Sequence, residues 1–123
     1  MKSTRPKNLN LFTIRFPVTA IVSILHRVSG FFIFLLIPGL LWTLDYSLTY
    51  PGFYQIQDLM SQTWAKILLW LLLAPILFHI VAGIRHLLAD LHIGTTLKGG
   101  RLASYLTFII TFILLALAGV WLW

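Results

Sequence analysis

Cysteine is absent from the 123 residues, and so is glutamate. Without cysteine the chain forms no disulfide and supplies no thiolate to zinc or to an iron–sulfur cluster. The only acids are Asp45, Asp58 and Asp90, each near the end of an apolar run. A proton-coupled carrier built on intramembrane carboxylates is thereby disfavoured. Charge of either sign is scarce, at 10% of residues, where soluble domains carry about 25%. Nine Lys and Arg against three acids leave a formal net charge of +6. A basic surplus can mark a nucleic-acid binder, but these cations are few and scattered between apolar runs, so no nucleic-acid partner is expected. What abounds is apolar side chain, 59% of the chain. A soluble fold of this size buries only about two-thirds of its surface. A soluble monomer is excluded on that ground, and disorder is excluded because disordered chains are poor in apolar residues. The solvent this sequence suits is a lipid bilayer.

A bilayer core about 30 Å thick is crossed by roughly 20 helical residues. Three stretches qualify, and the expectation is an all-α membrane protein with helices near 20–46, 64–90 and 102–122. The whole chain, 1–123, reads as one transmembrane anchor domain, with 1–19 a cytoplasmic or interfacial segment. Within that segment, residues 8–16 read as an interfacial stretch ending at Pro17. The basic N-terminus lacks a short apolar core followed by a small-residue cleavage site, so it does not read as a cleaved signal. Lys2, Arg5, Lys7, Arg15 and Arg27 precede or open the first span, and Arg85, Lys98 and Arg101 lie between the second and third. Only Lys66 lies between the first and second. The positive-inside rule therefore predicts a cytoplasmic N-terminus and second loop. Trp42, Tyr46, Tyr50, Tyr54, Trp64, Trp121 and Trp123 gather at the opposite side, as an interfacial aromatic belt does. Tyr50-Pro51-Gly52 reads as a turn in the first loop, and Gly94 and Gly99-Gly100 as breaks in the second. Kinks are expected at Pro38-Gly39 and Pro75.

Polar residues inside spans are costly and so mark candidate sites. His79 lies near the middle of the second span, with Gly83 four residues on and therefore on the same face. A glycine there leaves room for a flat ring, and an imidazole at this depth suits an axial ligand to haem iron. The alternative is a histidine bonded to a neighbouring helix as bundle glue. His86 follows two turns later on that face, bracketed by Arg85 and Asp90. It reads either as part of a snorkelling interfacial charge cluster or as a group meeting haem propionates. On the first span Ser23, Arg27 and Gly30 share a face, with His26 beside it. A hydroxyl and a guanidinium in an apolar pocket match the carbonyl oxygens of a quinone ring. Arg27 as a plain positive-inside anchor is the alternative. On the third span Ser104, Thr107 and Thr111 can bond back to their own helix carbonyls and read as packing or lipid contact. His26 near a helix start, His86 on the same helix as His79, and His92 in a loop cannot lie opposite His79 across a haem. A haem on His79 would need its sixth ligand from another chain, so an obligate partner is expected.

Two stretches carry a resemblance. The first is Arg5-Pro6 followed by Ser23-Ile24-Leu25-His26-Arg27-Val28-Ser29-Gly30, and the second is His79-x-x-x-Gly83-Ile84-Arg85-His86-x-x-x-Asp90. In this order and separation they resemble the cytochrome b large anchor subunit of bacterial succinate dehydrogenase, respiratory complex II. The resemblance implies a multi-pass subunit of the bacterial inner membrane. It implies partners: a small membrane anchor, an iron–sulfur subunit and a flavoprotein subunit in which succinate is oxidised. It implies one haem b, with His79 as one axial ligand and a histidine of the small anchor as the other. It implies contact of Ser23 and Arg27 with ubiquinone, and places His26, Arg27 and His86 near the haem propionates, with Gly83, Arg85 and Asp90 in support. The chain alone would not oxidise succinate. An anchor of a fumarate reductase, and a structural anchor without cofactor, stay open beside this reading.

Overall fold

Hydropathy dictates three of the helices. The computed structural model describes residues 15–123. It contains α1 (Val18–Ser47), α2 (Tyr50–Ser61), α3 (Thr63–Asp90) and α4 (Leu97–Leu122). α1, α3 and α4 are each long and apolar enough to cross a membrane. Their 30, 28 and 26 residues correspond to about 45, 42 and 39 Å at 1.5 Å per residue. Each exceeds the hydrocarbon core by at least a turn. The protein is a multi-pass membrane protein in which α3 packs against both α1 and α4, α1 also touches α4, and α2 lies against α1 and α3. The expected interfacial stretch at 8–16 falls almost wholly outside the described residues, as do Lys2, Lys7 and Arg5-Pro6.

Two boundaries differ from the sequence expectation. The first loop holds a 12-residue helix where Tyr50-Pro51-Gly52 had read as a turn. Proline in a helix's first turn forfeits no bond, because the first N–H groups have no helical acceptor. The Thr49 hydroxyl caps the helix by accepting from the Gly52 N–H at 3.1 Å. Gly52 is required for a different reason: a side chain there would strike the Tyr46 carbonyl at the end of α1. The Tyr46 hydroxyl also donates to Gln55 Oε1, tying α2 back to α1.

α4 starts at Leu97, five residues before the expected 102. Thr96 caps it, its hydroxyl accepting from the Gly99 N–H at 3.0 Å. Gly99-Gly100 thus lie in the first turn rather than in the loop. α3 ends in a Schellman arrangement, with Ile93 N–H donating to the Leu88 carbonyl and His92 N–H to that of Ala89, both at 2.9 Å. The left-handed position belongs to His92, at φ 61°. Both helices run unbroken through Pro38 and Pro75.

The interior is small. Val22, Phe78 and Ala82 form its apolar centre, with Phe108 packed alongside. Ser104, Thr107 and Thr111 form a buried seam on α4. Each hydroxyl donates to the carbonyl four residues back, at 2.7–2.8 Å. The back-bonding read from sequence is present, and the three side chains are buried while much of the rest of α4 is exposed. Only 6–11% of each span's most apolar window is buried within the chain. The rest is surface for lipid or other subunits. In the first third of α3 the Trp70 Nε1–H donates to the Leu115 carbonyl at 2.8 Å. Gly119 stands one turn on, where a Cβ would lie 3.3 Å from that nitrogen.

Candidate functional site

The α-helical repeat gathers the intramembrane histidines. On α1, Val22, His26 and Ser29 fall on one stripe, and on α3 His79, Ala82, Gly83 and His86 do the same. Val22, Ser29 and Ala82 are buried where the stripes meet. The His26 ring lies between the other two. It stacks on His79 with centroids 4.1 Å apart and planes 8° apart, and it meets His86 at 4.9 Å with a 48° tilt.

A glycine on α1 permits this approach. A Cβ on Gly30 of α1 would lie 3.0 Å from His79 Cε1, tighter than nine in ten real Cβ contacts, so the ring would have to give by a few tenths of an ångström. Gly83 instead faces His26, whose Nε2 would be 3.5 Å from an added Cβ. The His26 imidazole thus borders Gly83 at ordinary contact distance, and the close approach of α1 to His79 is made at Gly30.

Hydrogen bonding fixes the state of His79. Its Nδ1 lies 3.0 Å from the Ser29 hydroxyl oxygen and 3.1 Å from the His26 carbonyl oxygen. The Ser29 hydroxyl spends its single proton on that same carbonyl, at 2.7 Å. Toward His79 both neighbours are therefore acceptors. Nδ1 must carry the ring proton, because a lone pair there would face the carbonyl with no hydrogen between them. In the neutral ring the remaining lone pair is on Nε2. Stacking by His26 covers a face of the ring, while that lone pair lies in the ring plane.

His86 has the opposite character. Its Nε2 is enclosed and has no hydrogen-bond partner, so the i,i+4 spacing to Asp90 does not satisfy it. An enclosed unpaired group of this kind costs about 1–3 kcal/mol. The charges acting on the ring are Arg85, Asp90 and, from across the helix interface, Arg27. Ser23 is half-buried and Arg27 exposed on α1. Arg85 is half-buried and Asp90 exposed at the end of α3.

Two apolar clefts flank the cluster. One, about 390 Å³, runs between α3 and α4 with Arg85 near its mouth. The other, about 330 Å³, is lined by Ser29, Phe78, Phe108 and Thr111 among others. Neither is lined by Ser23 or Arg27.

Sequence reading missed Ser29 and Gly30 as partners of His79. The available signal was depth: both are a turn deeper than His26, level with a mid-span histidine. It also missed Trp70, for which spacing gave no signal.

The family profile described as succinate dehydrogenase/fumarate reductase transmembrane subunit matches residues 1–118. A succinate dehydrogenase cytochrome b556 subunit from Coxiella burnetii (strain RSA 493) is 41% identical over 125 aligned positions that cover all of both chains. A protein of the same description from Paracoccus denitrificans is 29% identical over 104 positions, covering 84% of this chain and 80% of that one. By the profile match and the full-length likeness together, the chain belongs to the succinate dehydrogenase/fumarate reductase transmembrane subunit family, among the cytochrome b556 membrane subunits of succinate dehydrogenase.

Proposed function

We propose that this chain holds one haem b through His79, shares it with a smaller membrane anchor that supplies the second axial histidine, and forms part of the ubiquinone-reduction site of a succinate:ubiquinone oxidoreductase. The observation that carries the reading is the state of His79. A histidine whose Nδ1–H is held by a backbone carbonyl, with Nε2 left as the donor, is the arrangement metal-ligating imidazoles adopt. Among the described residues no three His, Asp or Glu side chains converge as an ion cage. One directed lone pair suits a cofactor that brings its remaining donors with it. The b556 designation of both relatives supports the same cofactor.

Bound haem supplies a one-electron redox centre. The other roles belong to the chain's own side chains. His86 Nε2, enclosed and unpaired, gains an acceptor if a propionate carboxylate reaches it, with His26 and Arg27 beside it. Arg85 and Asp90 flank that end, and Gly83 leaves space for the His26 ring. Ser23 donates a hydrogen bond to a quinone carbonyl oxygen. Arg27, one turn along the same face, offsets negative charge as the ring is reduced. Neither residue lines either of the two clefts described above, and in this reading the partner subunits complete the quinone pocket. The flavoprotein and iron–sulfur subunits dock on the cytoplasmic face of the bacterial inner membrane, the face the cations mark. Both relatives are described as succinate dehydrogenase subunits, which favours succinate oxidation over fumarate reduction.

The test is a reduced-minus-oxidised optical spectrum of the assembled complex. His79→Ala is expected to lose the low-spin b-type bands. An unchanged low-spin spectrum in that variant overturns the ligand assignment. Ser23→Ala and Arg27→Ala are expected to slow quinone reduction about tenfold or more, the scale of one charge-assisted hydrogen bond. Dye reduction by succinate is expected to persist. Unchanged quinone reduction removes both residues from the site.

A further inference from the structure

Ser29 is 4% exposed and sits against His79. We infer that Ser29 is a positioning residue, which together with the His26 carbonyl holds His79 in the Nδ1–H form and aims Nε2 at the iron. The inference rests on the reading of His79 as a haem ligand and adds to it the group that sets the ligand's tautomer and donor strength.

The three atoms form a closed set. The Ser29 hydroxyl donates to the His26 carbonyl at 2.7 Å. His79 Nδ1–H is shared between that carbonyl at 3.1 Å and the Ser29 oxygen at 3.0 Å. The serine proton is consumed by the carbonyl, so Ser29 meets the imidazole only as an acceptor. Two acceptors on one N–H draw the proton outward and enrich the ring in electron density. An electron-rich imidazole is a stronger donor through Nε2, and a stronger axial donor favours the oxidised iron. Gly30 adds the steric half of the device. A Cβ there would lie 3.0 Å from His79 Cε1, so the glycine leaves the space in which the ring sits against both acceptors.

Loss of such an outer partner typically weakens metal retention about 10–100-fold. The experiment uses the assembled complex with Ser29→Ala, Ser29→Thr and His79→Ala, and reads haem content and the haem reduction potential. Ser29→Ala is expected to raise the potential and weaken haem retention. Ser29→Thr is expected to restore both, because it keeps the hydroxyl and Ser29 borders a cleft with room for a methyl. If Ser29→Ala does not assemble, Ser29→Cys, a weak acceptor of similar volume, carries the test with the same upward shift expected. An unmoved potential in the assembled Ala or Cys variant overturns the positioning role, and so does a shift that Ser29→Thr fails to reverse. A normal low-spin spectrum in His79→Ala overturns the haem reading itself, a separate result.

Discussion

The imidazole of His26 lies face to face with that of His79, 4.1 Å away and 8° from parallel, while its own carbonyl accepts from the same histidine at 3.1 Å. One residue thus touches His79 twice, through the side chain and through the backbone. The two contacts are separable. His26→Leu removes the stack and keeps the carbonyl, so it is expected to retain the low-spin haem spectrum that His79→Leu abolishes. Parallel difference spectra of the two variants check this. Loss of the spectrum in both would make the stack, not the carbonyl, the decisive contact.

Gly30 and Gly39 lie on the same helix and differ in surroundings. An added Cβ at Gly30 meets His79 at 3.0 Å, whereas at Gly39 nothing lies within 4 Å. Gly30→Ala is expected to lower both haem content and the melting temperature of the complex. Gly39→Ala is expected to do neither, and thermal melts of the two variants side by side read the difference.

Trp70 fastens α3 to α4 through the Leu115 carbonyl at 2.8 Å. Hydrogen bonds between transmembrane helices contribute about 0.6 kcal/mol on average and up to about 2. Trp70→Phe keeps most of the ring and removes the donor, so a loss of about 1 kcal/mol is expected. Unfolding in mixed detergent measures it. An unchanged midpoint would mean the bond forms only at the expense of an equal one.

His92 occupies a left-handed backbone position, φ 61°, at a helix end where glycine is usual. A side chain in that conformation costs about 1–2 kcal/mol relative to the right-handed form, and glycine escapes the cost. His92→Gly is expected to stabilise the α3–α4 connection by about 1 kcal/mol and to raise the melting temperature without altering the haem spectrum. A lower melting temperature would show that the imidazole makes a compensating contact.

The three spans were legible because apolar runs of that length have no alternative in water or lipid. The cost rule for polar groups in lipid also led directly to His26, His79 and His86. Their arrangement was less legible. Which glycine admits which ring depends on the relative height of α1 and α3, which no spacing within one helix encodes. That is why the facing of Gly30 to His79 and of Gly83 to His26 was not legible. α2 was hidden because Tyr-Pro-Gly serves equally as a turn or as a first helical turn, and the Thr49 cap decides between them. The early start of α4 was hidden for the same reason: Gly99-Gly100 reads as a break until the Thr96 cap is seen.

The hydroxyl seam on α4 has an electrical consequence. Ser104, Thr107 and Thr111 each commit their proton to a carbonyl of their own helix. A Grotthuss wire needs hydroxyls that hand a proton from one to the next, and along this seam each is tethered to backbone instead. The seam is polar in composition, yet its hydrogen bonds all run to backbone and none from one hydroxyl to the next. If a quinone is reduced near Ser23 and Arg27 as proposed, this seam is not the route by which its protons arrive. Quinone reduction so placed would draw no charge across the membrane along α4.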